Sequence, residues 1–595
     1  MAQRTESPAT IVEALAGIEE CTSSGVRFIS RTGEATFYPY CDIMKRARRV
    51  AGSLQSRGLV PGDRVGIILP TSIHFFDVFL GVMLAGGIPS ALYPPFRLGR
   101  LAEYYDRTRG MLSKIGARFL VVDGRTGTIL GPVVEGVDTI ETVLNPPGLL
   151  GSDDWTPVHT DPQSPAFLQF SSGTTVDPKA VIVSHANLVS NLAMMGHIFR
   201  SYSPEELSLE TVCWLPLYHD MGLVGCMFNG LYLPATINYI EPDVFIARPA
   251  LWLQTISRYR AAISPAPHFA YGLCTKKIRD DDMTGVDLSC WKVAMNGSEQ
   301  IDVEGMRAFE RRFKQWGFTQ SAMTPVYGLA ETVLAVTFSD FMEPPVVKEF
   351  DRTAISEKGK AEPGTGYETV SVGRPLSGID LRICDEHDRS IDDNHVGRIM
   401  VRGPSVSPGY YGDPESTNAS IRNGWLDTGD LGFICDNDLF ITGRTKDIII
   451  IRGQNIAPQA LETLVSDLPD IRTGCVAAVS RFVRGQGEQL IILAERDRYA
   501  TRSDESLERT VREHIITATG LNPHIVRILA PGTLPRTSSG KLRRSDALTL
   551  FLAGQLEPPV KMGILKTVMQ LARSGLAWGR FRLKRFRRHG NGENI

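Results

Sequence analysis

At 595 residues and 65.5 kDa the chain is too long for one hydrophobic core, so two or more domains are expected. Hydrophobic residues make up 43% and charged residues 22%, with a net charge of −2, a balance that excludes wholesale disorder and does not suggest a nucleic-acid binder. The nine cysteines are scattered and never spaced as CxxC, which argues against a disulfide framework or a zinc site and fits a reducing cytoplasm.

The first residues, "MAQRTESPATIVEAL", contain no apolar run of signal-peptide type. From Arg64, "RVGIILP" reads as a strand, "HFFDVFLGVMLAGG" as a helix, and "IPSALYPP" and "RFLVVD" as further strands, an alternation that marks parallel sheet covered by helices. The most apolar stretch is broken by Gly-Gly and Pro after about a dozen residues, too short for a membrane span, so a soluble intracellular protein is expected. From about residue 370 the pattern changes to short strands between Gly, Asp and Asn turns, the mark of a small mostly-β subdomain. After "GRTKDIIIIRGQNIAP" another αβ mixture begins, with "AVSRFVRGQGEQLIILAE" as a hairpin and "LERTVREHIITATG" as a helix. The expected division is therefore 1–445, 446–552 and a basic tail 553–595. "PGTLPRTSSGKLRR" is a polar, basic loop and a functional candidate.

The stretch "FLQFSSGTTVDPKAVIVSH" carries the first chemistry. Ser171, Ser172, Thr174 and Thr175 offer four hydroxyls within five residues, Gly173 permits a close turn, and Lys179 adds a positive charge. Such a loop can wrap phosphates through backbone N–H and hydroxyl groups. It is not a GxxxxGK[ST] loop, since Lys179 follows Gly173 by six residues and Ala180 follows Lys179. Alone it would read equally well as a Ser/Thr-rich surface turn.

Downstream, in order, come "LPLYHDMGLVG", "MNGSEQI", "PVYGLAET", "GWLDTGDLGF", "FITGRTKDIIIIRGQNIAP" and "LPRTSSGKLRR". With "SSGTTVDPK" they resemble the ordered motifs of the adenylate-forming superfamily over about residues 10–550. That resemblance implies an α/β fold, with a large N-terminal domain and a smaller mobile α+β C-terminal domain. It also implies joining of a carboxylate to AMP from ATP, with release of pyrophosphate and passage of the acyl group to a thiol. Two anions must meet, so positioning and charge neutralisation dominate the chemistry. The resemblance gives the Ser171–Lys179 loop the β- and γ-phosphates. Glu331 takes Mg2+, Thr332 the α-phosphate, Tyr327 the adenine ring, and Asp430 and Arg444 the ribose. His219, Asn296 and Gly297 fall beside the acyl carboxylate and nucleotide, and Lys541 bridges carboxylate and α-phosphate. Val176 and Ala180 stand where the family usually has Gly.

"WLPLYHDMGLVG" and "SPAPHFAYGLC", with His268 where Asn is commoner, resemble the fatty acyl-AMP ligases. So does the long segment between Glu331 and Gly373, in which "VVKEFDRTAISEKGK" resembles the insertion of that branch. The branch implies a fatty acid substrate and an acyl carrier protein or polyketide synthase as acceptor. An acyl-CoA synthetase, an amino-acid-activating domain and a non-catalytic nucleotide- or acyl-binding relative are the alternatives. In the tail, nine Lys/Arg and no Asp or Glu lie between Lys561 and His589. Ile564, Val568, Leu571 and Gly575 fall at helical spacing, and Trp578, Phe581 and Phe586 sit among arginines. The expectation is peripheral contact with an anionic membrane, against a terminal helix packed on the C-terminal domain with a solvated basic end.

Overall fold

Runs of β-branched residues separated by apolar or amphipathic segments fold here as parallel strands with helical crossovers. The structure is a computed structural model. It describes residues 8–95, 100–151, 154–171, 178–451, 454–483, 487–537, 540–559 and 564–589. Ile88–Ala91, Arg64–Ile68, Phe119–Val122 and Thr142–Leu144 form a four-stranded parallel sheet. The helix Ile73–Leu84 links its first two strands in chain order and is buried almost all round, which explains why it lacks a polar face.

Beside it runs a nine-stranded sheet. Six adjacent strands are parallel: Met323–Gly328, Val293–Gly297, Ile263–Pro267, Thr211–Cys213, Ile237–Ile240 and Gly25–Ile29. Antiparallel strands close both edges, Ala35–Pro39 on one and Ala335–Phe338 with Arg374–Pro375 on the other. One continuous core fills the space between this sheet, its helices and the smaller sheet. Buried polar groups in that core tie neighbours together. The Asn191 amide donates to the Ala335 carbonyl and accepts from the Ala335 N–H, replacing a strand partner.

An antiparallel sheet follows, built from Asp380–Cys384, Gly397–Arg402, Trp425–Cys435 and Asp438–Arg444, with the short Ile421–Arg422. The segment that resembled an insertion is a folded unit packed on this sheet. Val347–Asp351 pairs with Gly366–Val370, and the helix Arg352–Lys358 lies between them in sequence. Phe350 is buried edge-on against Phe433 and Phe440. Lys348 pairs with Asp436, and Arg307 grips Glu368 through two bonds of 2.8 and 2.7 Å.

Residues from Ile449 to Leu556 have cores of their own. Ile471–Val483 and Gly487–Arg496 form the hairpin, Ile525–Leu529 adds a parallel strand, and Pro458–Ser466, Asp504–Thr519 and Arg544–Leu552 cover the sheet. Arg544 joins both ends of this unit, donating to Asp447 at 2.9 Å and to both oxygens of Glu462 at 2.7 Å.

The tail does not pack where the alternative reading, a helix on the C-terminal domain, would put it. Ile564–His589 is one helix, and it docks on the short helices Gly124–Ile129 and Gly131–Glu135 of the N-terminal part, not on the C-terminal unit. Its buried side is Ser574 and Ala577 with Trp578 and Phe581, which join the core of the four-stranded sheet. Gly131 makes the approach possible: a Cβ there would lie 2.2 Å from the Ser574 carbonyl oxygen, and its N–H donates to Ser574 Oγ at 3.0 Å. Trp578 Nε1 donates to the Gly127 carbonyl at 2.9 Å, so this ring is a docking anchor and not a free interfacial one. Val568 and Leu571, of the apolar stripe read from the sequence, are exposed.

Candidate active site

In open parallel sheets ligands bind beyond the carboxyl ends of the strands. Four adjacent strands end together here, and the turns after them supply His219, His268, Glu299 and Glu331. Gln169, near the end of Pro165–Phe170, donates to the Tyr218 carbonyl at 2.9 Å and ties the hairpin of Pro165–Phe170 and Ala180–Ser184 to the His219 turn.

His219 Nδ1 lies 2.6 Å from Asp220 Oδ1, and the Met221 N–H donates to the same carboxylate at 2.8 Å. Burial opposes ionisation of Asp220. The charge and hydrogen bond of His219, with the nearby Lys541 and the Met221 N–H, outweigh it and hold the carboxyl below its ordinary range. Lys541 comes from the C-terminal unit, on a turn closed by Thr537 N–H to Lys541 O (2.8 Å) and Lys541 N–H to Thr537 Oγ1 (3.0 Å). Burial and then Arg444 push its pKa down, while Asp220, Glu299 and Asp430 act the other way. The lysine of the C-terminal unit is therefore inside the N-terminal site.

Asp430 is buried and faces Arg444 across the Trp425–Cys435/Asp438–Arg444 hairpin. Its two oxygens accept from Tyr327 Oη at 2.7 Å and Arg444 Nε at 3.0 Å. Burial, followed by the charge of Asp430, raises the Tyr327 hydroxyl well above its usual value, so the phenol stays a donor. Glu331 sits in the turn Ala330–Thr332 and accepts from Tyr410 Oη at 3.0 Å. Burial raises its pKa. The turn is closed by Val333 at φ 70°, a left-handed conformation costly for a β-branched residue and held by the Val333 N–H to Ala330 O bond. Lys179 Nζ stands 4.4 Å from the centre of the Tyr410 ring, one ring removed from Glu331. Burial, then Lys446, lowers its pKa.

These groups open on a cavity of about 1370 Å³, larger than the ~300–1,000 Å³ usual for a small-molecule site. Its charged lining includes Asp220, Glu299, Glu331, Asp430, Arg444 and Lys541, and its apolar lining includes Met195, Phe199, Leu209, Leu233, Ile237 and Phe338.

Not every candidate reaches it. Ser171 lines the cavity, and its N–H donates to the Lys179 carbonyl at 3.0 Å, but Ser172, Gly173, Thr174 and Thr175 lie outside the described residues. Thr332 is fully buried, with its hydroxyl donated to the Leu329 carbonyl at 2.9 Å, so in this arrangement it does not present a donor to a phosphate. Asn296 is also fully buried and braces a wall residue, its amide 3.1 Å from His268 Nδ1. Gly297 is required by packing, because a Cβ would meet the Val326 side chain and carbonyl at 2.8 Å.

A lysine from one folded unit placed among the carboxylates of another, at the carboxyl ends of a parallel sheet, fits the comparison with known families, in which residues 23–411 match the AMP-binding enzymes. The chain belongs to the AMP-binding enzyme family. Among its relatives, the long-chain-fatty-acid–AMP ligase FadD23 of Mycobacterium tuberculosis is 30% identical, over 86% of this chain and 90% of that protein. The medium-chain-fatty-acid–[acyl-carrier-protein] ligase JamA of Moorena producens is 30% identical over 88% and 91%. A solved structure from work on the fatty acyl-adenylate ligases of E. coli and L. pneumophila superposes with a TM-score of 0.85 at 32% identity, covering 92% of this chain and 98% of that one. The adenylate-forming α/β fold expected from the motifs is thus the fold found.

Within this family site, Asp220, Glu299 and Tyr410 were not singled out from sequence. Asp220 could have been, being adjacent to His219 in "YHDMG". Tyr410 stands 79 positions from Glu331, and only its place in the Gly/Pro turn "SPGYYGDP" hints at a role. Missed as well were the contacts that seat the C-terminal unit: Arg100 donating to the Thr533 carbonyl at 2.8 Å, and Arg543 pairing with Glu103 at 3.3 Å.

Proposed function

We propose that the protein is a fatty acyl-AMP ligase. It activates a medium- or long-chain fatty acid with ATP and hands the acyl group to the phosphopantetheine thiol of an acyl carrier protein or polyketide synthase. The observation that carries this reading is Lys541 on the wall of one cavity that carboxylates and apolar side chains line together. A fatty chain against those apolar side chains would bring its carboxylate to His219 and Lys541. One carboxylate oxygen then attacks the α-phosphorus, the bond to the bridging oxygen of the β-phosphate breaks, and pyrophosphate leaves. Lys541 offsets the charge that accumulates between the two anions, and Tyr327, Asp430 and Arg444 hold adenine and ribose. In the second step a thiolate attacks the acyl carbonyl and AMP departs.

Mg2+ fits Glu331, a buried carboxylate whose raised pKa signals that a cation there would be welcome. Among the described residues no cluster of three or more ligating side chains exists. That suits an ion held mainly by substrate phosphates with one protein carboxylate, and bound in this way it would polarise the phosphoryl oxygens. The phosphate loop Ser171–Lys179 would take the β- and γ-phosphates.

Support for the carrier-protein branch comes from the insertion. It is packed on the antiparallel sheet, and its helix Arg352–Lys358 lies against Gln454–Ile456 of the C-terminal unit. A clamp at that point favours the pose with Lys541 inside and hinders rotation about Lys446 into a CoA-using pose. The protein is proposed to act in the cytoplasm; no helix among the described residues is long and apolar enough to cross a membrane. Incubation with ATP, Mg2+ and a panel of fatty acids tests the reading. Acyl-adenylate and pyrophosphate should form in equal amounts, and their absence across the panel would overturn it.

A further inference from the structure

Docking of the tail helix consumes only one of its sides. With 100° per residue, Ser574, Ala577, Trp578 and Phe581 define the face toward the protein, and the opposite face points to solvent. That outward face is aliphatic. Val568 is 55% exposed, Met569 63%, Leu576 68% and Leu583 63%, and Ala572 and Gly579 are exposed between them. Cations border the stripe: Arg573 and Arg580 along one margin and Arg582 on the other, all exposed, with no acidic residue from Lys561 to His589.

The orientation is fixed by the protein and does not depend on a partner. Trp578 Nε1 holds the Gly127 carbonyl, Arg580 pairs with Glu135 at 2.7 Å, and Lys584 with Asp138 at 2.5 Å. An exposed aliphatic row of this length on a rigid, docked helix is a contact surface in want of an occupant.

We propose that this face is a peripheral docking surface for an anionic lipid bilayer, with the aliphatic row entering the headgroup region and Arg573 and Arg582 at its margins meeting lipid phosphates. Charge complementarity selects this occupant. Met569, Leu576 and Leu583 recur every seven residues, as a helix-pairing seam would, but Arg573 and Arg580 flank that seam with the same period. A second copy of the helix would set arginines against arginines; Glu135 offsets Arg580, but the tail itself has no acidic residue to relieve Arg573. A bilayer offers both the apolar layer and the negative charge, and the helix has the make-up of one that lies in the interface plane. The surface rests on the proposed function only in its use: fatty acids partition into bilayers, so an enzyme held there meets its substrate. The binding itself needs no catalysis.

Co-sedimentation of the full-length protein with phosphatidylcholine vesicles, with and without phosphatidylglycerol, tests the proposal. The protein should bind the anionic vesicles and be released by salt, and the double variant L576Q/L583Q should bind at least about tenfold more weakly. R573Q/R582Q should weaken binding to anionic vesicles while leaving the helix docked. Both variants change exposed side chains, and an unchanged melting temperature together with unchanged adenylate formation from a short, soluble fatty acid shows that they fold. Equal binding of the wild type and L576Q/L583Q overturns the proposal, as does failure of the wild type to bind anionic vesicles. A wild-type dimer that becomes a monomer in L576Q/L583Q also overturns it, in favour of self-association. Loss of fatty-acid activation with vesicle binding intact would instead count against the enzymatic reading.

Discussion

Replacing Lys541 by alanine separates chemistry from stability. In the folded protein burial and Arg444 together outweigh Asp220, Glu299 and Asp430, so the ammonium is held with a pKa below that of a free lysine. Its charge is therefore a cost to the fold without substrate, and its removal should not destabilise the protein. During adenylation the balance reverses, because two anions converge beside the same ammonium. Loss of one aimed group of this kind costs about 10²–10³ in turnover, or ~3–4 kcal/mol. The assay is pyrophosphate release under single-turnover conditions, paired with thermal unfolding and with thiol acylation from preformed acyl-adenylate, which should be nearly unaffected. A second arm uses pH. The protonated lysine is required, so adenylation should fall as pH rises through its depressed pKa, and K541R should retain activity on that alkaline limb. On stability the sign is opposite. A lysine with a lowered folded pKa destabilises below that pKa, and the penalty fades as pH approaches the free-lysine value; K541A abolishes this slope. Near-normal pyrophosphate release by K541A, or a loss of stability as large as the loss of rate, would refute the reasoning.

Asp430 receives Tyr327 and Arg444, and removing its charge in D430N should lower kcat/KM for ATP by about ten- to a hundredfold, the scale of one charged hydrogen bond; steady-state kinetics with ATP varied would show it. Deleting residues 346–360 should raise acyl-CoA formation relative to adenylate release by freeing the C-terminal unit, read by product analysis with CoA present. R544M should strand the Asp447 and Glu462 carboxylates it holds and destabilise the C-terminal unit by about 3–5 kcal/mol. Hydrogen exchange should then accelerate over residues 449–556 and not in the nine-stranded sheet.

Much of this was legible in the sequence because the signals were periodic or ordered. "RVGIILP" and "RFLVVD" became strands, and "HFFDVFLGVMLAGG" became a buried helix, since run length and the Gly-Gly stop fix the element without knowledge of its partners. The motif order located Lys541, Asp430 and Glu331, whose side chains do meet at one cavity. A motif fixes position, however, and not where the side chain turns. Thr332, in the tight turn Ala330–Thr332, spends its hydroxyl on the Leu329 carbonyl, and Asn296 braces His268 because successive strand side chains alternate between faces. The tail shows the same limit at a larger scale. Counting apolar residues found a stripe through Val568 and Leu571, but the docked side is set by Gly131, more than 400 positions away, whose missing side chain admits Ser574. Nothing local to the tail encodes that contact.

The central claim is activation of a fatty acid for a carrier thiol, and one competition measures it most directly. The intact enzyme, supplied with ATP, Mg2+ and its preferred fatty acid, is given CoA and a phosphopantetheinylated acyl carrier protein together, and the acylated products are quantified by mass. Acylated carrier protein should accumulate along with acyl-adenylate, while acyl-CoA remains a minor product. Acyl-CoA formed at the rate of adenylation, with the carrier left unmodified, would contradict the account.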